Sequence, residues 1–161
     1  MSSALKEGKT KEEVTPEALL ERLKNVTTPD DIKEFFKDLW FLVMDTIKKA
    51  DADAGTKIWA ILFMGLLGDR FYELLDAYKV ALEHDYFYKY NLRNELEEVL
   101  KKLIEVYAYL KNGGLLWKAA DAIAWASISA EDRVEEFSRN LARSSDDLNS
   151  GLNIRKFKRP I

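Results

Sequence analysis

The sequence predicts an all-α fold, a single-domain bundle of five or six helices with a central long apolar helix and extended polar termini. Apolar residues recur three or four positions apart along most of the chain, which is the spacing of one helix face. No segment alternates apolar and polar residues over a useful length, as a half-buried strand would. Glycine and proline together number only ten of 161 residues, so short connections are expected.

Composition along the chain predicts one folded domain with two tails. Residues 1–14 are polar and read as an N-terminal tail, residues 15–143 as the helical bundle, and residues 144–161 as a basic C-terminal tail. Residues 29–54 carry four basic and seven acidic side chains, whereas residues 144–161 carry four basic and two acidic ones. An acidic body is not typical of a protein covered in nucleic acid, but the basic end allows a local phosphate contact.

The first two helices begin with the same signal, a threonine followed by proline and an early acidic residue. Thr15 is expected to cap a short helix that ends near Lys24, with proline at the first helical position. Thr28 is expected to cap the second helix, in which Asp31 completes a capping box. The apolar face of the second helix consists of Ile32, Phe35, Phe36, Leu39, Trp40, Val43 and Ile47.

The third helix, predicted from about Thr56 to Tyr86, contains ten successive residues, 58–67, without a charged or polar side chain. At about 1.5 Å per residue it would be about 45 Å long and the longest element. A segment that is apolar all round must be enclosed, either by other helices of the bundle or by another subunit. We favour the bundle core, and expect Gly65 and Gly68 to allow close approach of a neighbouring helix, with a bend in the helix as the alternative. The residues of this core or contact block are Ile58, Trp59, Ile61, Leu62, Phe63, Met64, Gly65, Leu66 and Gly68.

Three further helices are predicted after this block. Asn91 is expected to cap the fourth, and Gly113 to end it in a left-handed cap. The fifth is expected to run from about residue 115 to 127, and Ser129 to cap a sixth that ends near Arg143. The apolar face of the fourth helix consists of Leu92, Leu96, Val99, Leu100, Leu103, Tyr107 and Leu110.

Residue types exclude most catalytic sites. The chain has no cysteine and one histidine, His84, which argues against zinc sites and histidine-based nucleophilic catalysis, and we expect no metal and no cofactor. Asp69, Glu73 and Asp76 share a helix face and are the only machinery for a carboxylate-based enzyme, which is our third functional hypothesis. A solvated charged face explains these acids without catalysis.

Two segments combine aromatic and basic side chains, as single-strand binding requires. Residues 86–93 also suit a packed corner between two helices, which we favour. In the C-terminal tail, four cations surround one ring, and such a run binds phosphate without reading sequence. A solubilising tail, or one that docks on residues 30–53, is the equal alternative. The tail residues are Arg155, Lys156, Phe157, Lys158 and Arg159.

Lys and Glu dominate the charged residues, and there is no glutamine. This pattern favours an origin in a hot environment, with chance in a short chain as the alternative. The N-terminus lacks the apolar core of a secretory signal, and residues 58–67 are about half as long as a membrane-spanning helix. We therefore expect no membrane partner, and an intracellular location or the interior of a virion.

These observations predict a non-catalytic helical subunit of a larger protein or nucleoprotein assembly that acts through contacts with other subunits or by self-association. In size and class the chain resembles the small helical subunits of archaeal CRISPR effector complexes and the helical coat proteins of archaeal filamentous viruses. No motif carries this resemblance, so it assigns no residue a role. The alternative is a module that binds the nucleic-acid backbone through the C-terminal tail.

Overall fold

The structure, a computed structural model, describes residues 14–153, which form five helices and contain no strand. The helices are α1 (Pro16–Leu23), α2 (Pro29–Lys49), α3 (Ala54–Glu83), α4 (Lys89–Lys111) and α5 (Leu116–Asn153). The predicted all-α class is confirmed for this part of the chain. The predictions for residues 1–13 and 154–161 lie outside the described residues.

The first two helices begin with side-chain caps, as predicted. The Thr15 hydroxyl accepts a hydrogen bond from the backbone N–H of Ala18 at 3.0 Å. At the start of α2, the backbone N–H of Asp31 donates to the Thr28 hydroxyl, and the Asp31 carboxylate accepts from the Thr28 N–H. Hydrogen bonds from the backbone N–H groups of Thr28 and Thr27 lower the pKa of Asp31 below the ordinary 3.8. The predicted capping box is therefore present.

Helix α3 begins two residues before the predicted start, because Asp53 rather than Thr56 supplies the cap. The Asp53 carboxylate accepts a hydrogen bond from the Thr56 backbone N–H at 2.7 Å, and this bond lowers the pKa of Asp53 below 3.8. The helix ends at Glu83, three residues before Tyr86. With 30 residues it is shorter than α5, which has 38, so the prediction that it is the longest element was wrong.

The end of α4 agrees with the prediction. Gly113 adopts a left-handed φ of +86°, and the backbone N–H of Gly114 donates to the carbonyl of Tyr109 at 2.8 Å. This arrangement satisfies carbonyls at the end of the helix that have no partner within it. The Tyr109 ring occupies the space where a side chain at Gly114 would lie, so the chain needs glycine at both positions.

The turn between α3 and α4 differs from the prediction. Asp85 adopts a left-handed φ of +54°, which reverses the chain directly after the exposed His84 at the end of α3. Helix α4 then begins at Lys89, after Tyr88, without any side-chain cap. Asn91 lies inside the helix, so its predicted role as the cap was wrong.

Residues 116–153 form one helix where two were predicted. Ser129 does not cap a sixth helix, because its hydroxyl donates to the Glu95 carboxylate of α4 at 2.9 Å. The backbone continues as a helix to Asn153, ten residues past the predicted end at Arg143. Ser129 therefore makes a contact between two helices instead of the cap that the local pattern predicted.

Consecutive long helices pack in opposite directions. The rings of Phe36 in α2 and Phe71 in α3 are stacked with their centroids 3.9 Å apart. Further along, the Arg93 guanidinium of α4 donates to the Tyr78 hydroxyl of α3 at 3.3 Å. The early part of α2 thus lies beside the late part of α3, and the late part of α3 lies beside the early part of α4. Helices α2, α3 and α4 therefore form an up-and-down arrangement.

Helix α5 returns along α4 and lies beside α3. The rings of Tyr88 and Phe137 are 5.5 Å apart, and Glu95 contacts Ser129, so α5 runs antiparallel to α4. It consequently runs parallel to α3, on which it packs more extensively than on any other helix. Small side chains on the buried side of α5 allow the two backbones to approach closely: Ala119, Ala120 and Ala130.

The core lies between α2, α3, α4 and α5, with α1 packed on α4. The predicted apolar face of α4 is confirmed, since every member of it is buried: Leu92, Leu96, Val99, Leu100, Leu103, Tyr107 and Leu110. All seven predicted apolar residues of α2 are buried except Trp40, which is half-buried. Within residues 14–153, no helix is both long and apolar enough to cross a membrane.

Candidate protein-contact interface

The apolar block of α3 is not enclosed. Ile58, Trp59, Leu62 and Leu66 are 57%, 58%, 55% and 47% exposed, and Gly65 between them is exposed too. These residues recur at three- and four-residue spacing, so they form one stripe on the outer side of α3. The expectation that the bundle covers the block on every side was wrong for this stripe.

The opposite side of the same block is part of the core. Ala60, Met64, Leu67 and Gly68 are buried, and Ile61 and Phe63 are half-buried beside them: the block is thus core on one side and open on the other. Such a helix has little amphipathic character, because apolar residues occupy both its buried and its outer face.

Gly65 and Gly68 of α3 have different surroundings. A Cβ on Gly68 would lie 3.4 Å from the indole nitrogen of Trp40 in α2, which donates a hydrogen bond to the Met64 carbonyl at 3.2 Å. Close approach of a neighbouring helix is therefore confirmed at Gly68. A Cβ on Gly65 would meet no atom of the described residues within 4 Å, so the same expectation was wrong there.

Helix α5 also presents large apolar side chains to solvent. Trp117, Trp125 and Ile128 are 57%, 63% and 47% exposed, and the exposed Asp121 lies between them. The buried residue Ile123 faces the opposite way, into the core. The sequence predicted a helix over residues 115–127 but no exposed face, although the four-residue spacing of the two tryptophans and the aspartate is the signal of an outward face.

An ion pair shows how the two apolar stripes lie relative to each other. Arg70 of α3 is 3.7 Å from the Glu131 carboxylate of α5. Glu131 is 61 positions after Arg70. Because the helices are parallel, each residue of α3 therefore lies level with the residue of α5 that is 61 positions later in the chain. Leu66 is therefore level with residue 127, next to Ile128. We call the seven exposed side chains of the two helices the α3/α5 face: Ile58, Trp59, Leu62, Leu66, Trp117, Trp125 and Ile128.

Beyond Leu66 the outer side of α3 becomes charged. Asp69, Glu73 and Asp76 are all exposed, and Arg70 donates to the Glu73 carboxylate at 3.2 Å. This geometry fits a solvated face, with one acid paired to a cation. Among the described residues, no three potential metal ligands lie close enough to bind an ion together.

A buried polar cluster joins α4 to α5, and the sequence analysis missed it. Glu95 is 8% exposed, accepts a hydrogen bond from Ser129, and lies 3.7 Å from the Arg133 guanidinium. Arg133 also contacts Glu136 at 2.6 Å. The carboxylate is balanced by a cation and a hydroxyl within the protein, which is typical of a contact between helices. Its only sequence signal is an acid directly before Leu96 in the buried stripe of α4.

An open groove of about 940 Å³ lies at the end of the bundle where α2 meets α3 and α4 meets α5. Its walls include Phe41, Asp45 and Lys49 of α2, and Trp117 at the start of α5. The Asp45 carboxylate and the Lys49 ammonium form an ion pair at 3.0 Å. Asp53, also on the wall, caps α3, so these charges already have partners within the chain.

The aromatic run at the α3–α4 turn is a packed corner in part. Tyr88 is buried, burial raises its pKa, and its hydroxyl has no hydrogen-bond partner among the described residues. Phe87 and Tyr90 are 79% and 67% exposed. Arg93 turns inward, donating to the carbonyl of Val26 at 2.7 Å. The arginine of this run therefore supports the fold.

The basic tail predicted to contact phosphate lies outside the described residues: Arg155, Lys156, Phe157, Lys158 and Arg159. No protein-family model, no curated protein and no solved structure matches this chain. Its functional assignment therefore depends on its own surfaces.

Proposed function

We propose that the protein is a non-catalytic helical subunit of a larger assembly, and that it acts through protein contacts made by the α3/α5 face. The observation that carries the proposal is the exposure of Ile58, Trp59, Leu62 and Leu66, each about half open to solvent. Single exposed apolar residues are common on soluble proteins, but contiguous apolar stripes are typical of interaction sites.

The composition of the face supports a protein partner. Three of its seven side chains are tryptophans, and aromatic residues are enriched at the energetic centres of protein interfaces. Charged residues are depleted there, as at the core of an interface, and Asp121 is the one acid among the outward residues between Trp117 and Ile128. A polar ligand or a nucleic-acid backbone would require a different surface.

The test compares two leucine-to-glutamate substitutions. Leu62→Glu places a charge in the middle of the α3/α5 face, and Leu20→Glu places one on α1, at a leucine that is 44% exposed and lies on a helix packed against α4. We expect sedimentation velocity over a range of concentrations, and co-purification from the native host, to show association that Leu62→Glu abolishes. Leu20→Glu should retain it.

A strictly monomeric wild-type chain without a co-purifying partner would refute this function. So would equal association of the two variants. Circular dichroism of both variants provides the folding control, since both positions are exposed and neither charge has to be buried in the subunit.

Binding of a nucleic-acid backbone by the C-terminal tail stays the second candidate. Its test is the binding of labelled single- and double-stranded oligonucleotides at two salt concentrations, with Arg155, Lys156, Lys158 and Arg159 replaced by serine in the comparison protein. A phosphate contact predicts that binding weakens with salt and with these substitutions. Equal binding by the two proteins would exclude the tail.

A further inference from the structure

The partner of the α3/α5 face can be identified from its geometry. We infer that it is a second copy of the same chain, related by a two-fold axis that runs perpendicular to α3 and α5 and passes Leu62. This inference rests on the proposed assembly function and specifies its partner. Three observations support it: the area of the face, the positions of its two stripes, and the sizes of the residues that the axis would bring together.

The area suits a dimer. The seven side chains are between 47% and 63% exposed, so together they offer on the order of 900 Å² of largely apolar surface. A stable interface buries about 800 Å² on each partner. Neither stripe alone reaches this area, since each offers only about half of it, so a partner has to cover α3 and α5 together.

The two stripes are centred at the same level. The α3 stripe extends from Ile58 to Leu66, with its midpoint at Leu62, and the α5 stripe extends from Trp117 to Ile128, with its midpoint between residues 122 and 123. The contact between Arg70 and Glu131 places Leu62 level with residue 123. A single axis that lies in the plane of the face and is perpendicular to both helices therefore places the α3 stripe against α3 of the second copy and the α5 stripe against α5. Both pairs of helices are then antiparallel. An unrelated partner would not require this coincidence.

The residues brought together are complementary in size. An axis at Leu62 that lies in the plane of the face keeps each side chain on its own side of the stripe, so Ile58 comes opposite Gly65 of the other copy and Trp59 opposite Leu66. A Cβ on Gly65 would meet no atom of the described residues within 4 Å, so the space above it is open in this part of the subunit. An exposed glycine inside a helix destabilises that helix, and room for the opposing isoleucine side chain gives it a function.

The same axis brings one unfavourable contact. Asp121 lies within two residues of the axis on α5, so the two copies of its carboxylate would approach each other. Like charges at an interface oppose association. Asp121→Asn should therefore tighten the dimer several-fold, whereas a partner of another kind gives no reason for this substitution to strengthen self-association.

Cross-linking tests the axis directly, because the native chain has no cysteine. Leu62→Cys places one thiol on each copy next to the axis, within reach of a bis-maleimide about as long as the 8–10 Å between packed helices. Glu73→Cys is the matched control on the same exposed side of α3. Its two copies would lie on the order of 30 Å apart, since each is eleven residues from the axis.

We expect the wild-type chain to sediment as a dimer, Leu62→Cys to cross-link efficiently, and Glu73→Cys to remain uncross-linked. Gly65→Trp should give a folded monomer, because the new indole would fill the space that the Ile58 side chain of the other copy needs. A wild-type chain that stays monomeric at high micromolar concentration would overturn the inference, as would equal cross-linking of the two cysteine variants. If the chain is monomeric but Leu62→Glu removes another co-purifying protein, the assembly function stands and the two-fold dimer is wrong.

Discussion

Arg93 connects three parts of the bundle, and replacing it should destabilise the fold more than any other single change to a surface charge. Its guanidinium donates to the carbonyls of Val26 and Thr27 at 2.7 and 2.9 Å, in the connection between α1 and α2. It also donates to the hydroxyl of Tyr78 in α3 and to the Glu97 carboxylate on its own helix. Helix α1 itself is attached to α2 by the Arg22–Asp38 ion pair at 2.9 Å, so the bonds of Arg93 act on the connection that follows it.

The magnitude follows from the number and exposure of these bonds. Hydrogen bonds from charged donors contribute about 1.5–3 kcal/mol each when they are lost singly. The Arg93 side chain is 24% exposed, so water replaces part of the loss at the two carbonyls. We expect Arg93→Met to lower the free energy of unfolding by about 2–3 kcal/mol and the melting temperature by about 6 °C. Arg93→Lys should recover less than half, because an ammonium cannot reach two carbonyls and a carboxylate together.

The assay is urea unfolding followed by far-ultraviolet circular dichroism, with all variants at one protein concentration, because association changes apparent stability. Arg139→Met is the matched control. The Arg139 side chain is 64% exposed and lies 4.0 Å from Glu135, at the limit of an ion pair, so this substitution should change the free energy of unfolding by no more than about 0.5 kcal/mol. If Arg93→Met and Arg139→Met cost the same, the bonds of Arg93 do not stabilise the connection. Wild-type stability in Arg93→Lys would show that only its charge matters.

Three other changes test the helix ends and the glycines of α3. Asp85→Gly should raise the free energy of unfolding by about 0.5–1 kcal/mol, since glycine adopts a left-handed φ without strain; unchanged or lower stability in urea would contradict this. Folding lowers the pKa of Asp31 and Asp53. The stabilisation that these two carboxylates contribute should therefore be fully present above pH 4 and should be lost as the pH falls through their lower pKa values in the folded protein. The double Asp-to-Asn variant should flatten that decline in acid titrations, and an unchanged slope would show that other groups cause it. Gly65→Ala should stabilise the isolated subunit by about 1 kcal/mol in thermal unfolding at low concentration, whereas Gly68→Ala, facing an indole nitrogen at 3.4 Å, should gain less; the reverse order would refute the geometry.

Local signals predicted much of the fold. The start of α2 needs only Thr28 and Asp31, three residues apart, to form its capping box, and the structure has it. The end of α4 needs only Gly113, because glycine is the residue type that adopts a left-handed φ without strain. The buried face of α4 follows from spacing alone. In each case the interacting atoms lie within one or two helical turns, where sequence order determines geometry.

The errors arose where distant residues compete with local patterns. Ser129 carries the pattern of a cap, but its hydroxyl bonds to Glu95, 34 residues earlier, and the helix continues through it. That error led to another one. A separate sixth helix could have folded back and covered the outer side of α3, whereas the continuous α5 leaves Leu62 and Trp59 open. Whether an apolar stripe is buried thus depends on the path of a helix more than fifty residues away.

The parallel arrangement of α3 and α5 has a consequence for the order of folding. Neighbouring antiparallel helices can associate as soon as a short turn closes, but two parallel helices cannot be joined in this way. The α3–α5 contact forms only after α4 has carried the chain back, across the whole length of the bundle. Since closing a longer loop costs more entropy, we expect the α3–α5 contact to form after the contacts between the antiparallel neighbours, α2 with α3 and α4 with α5.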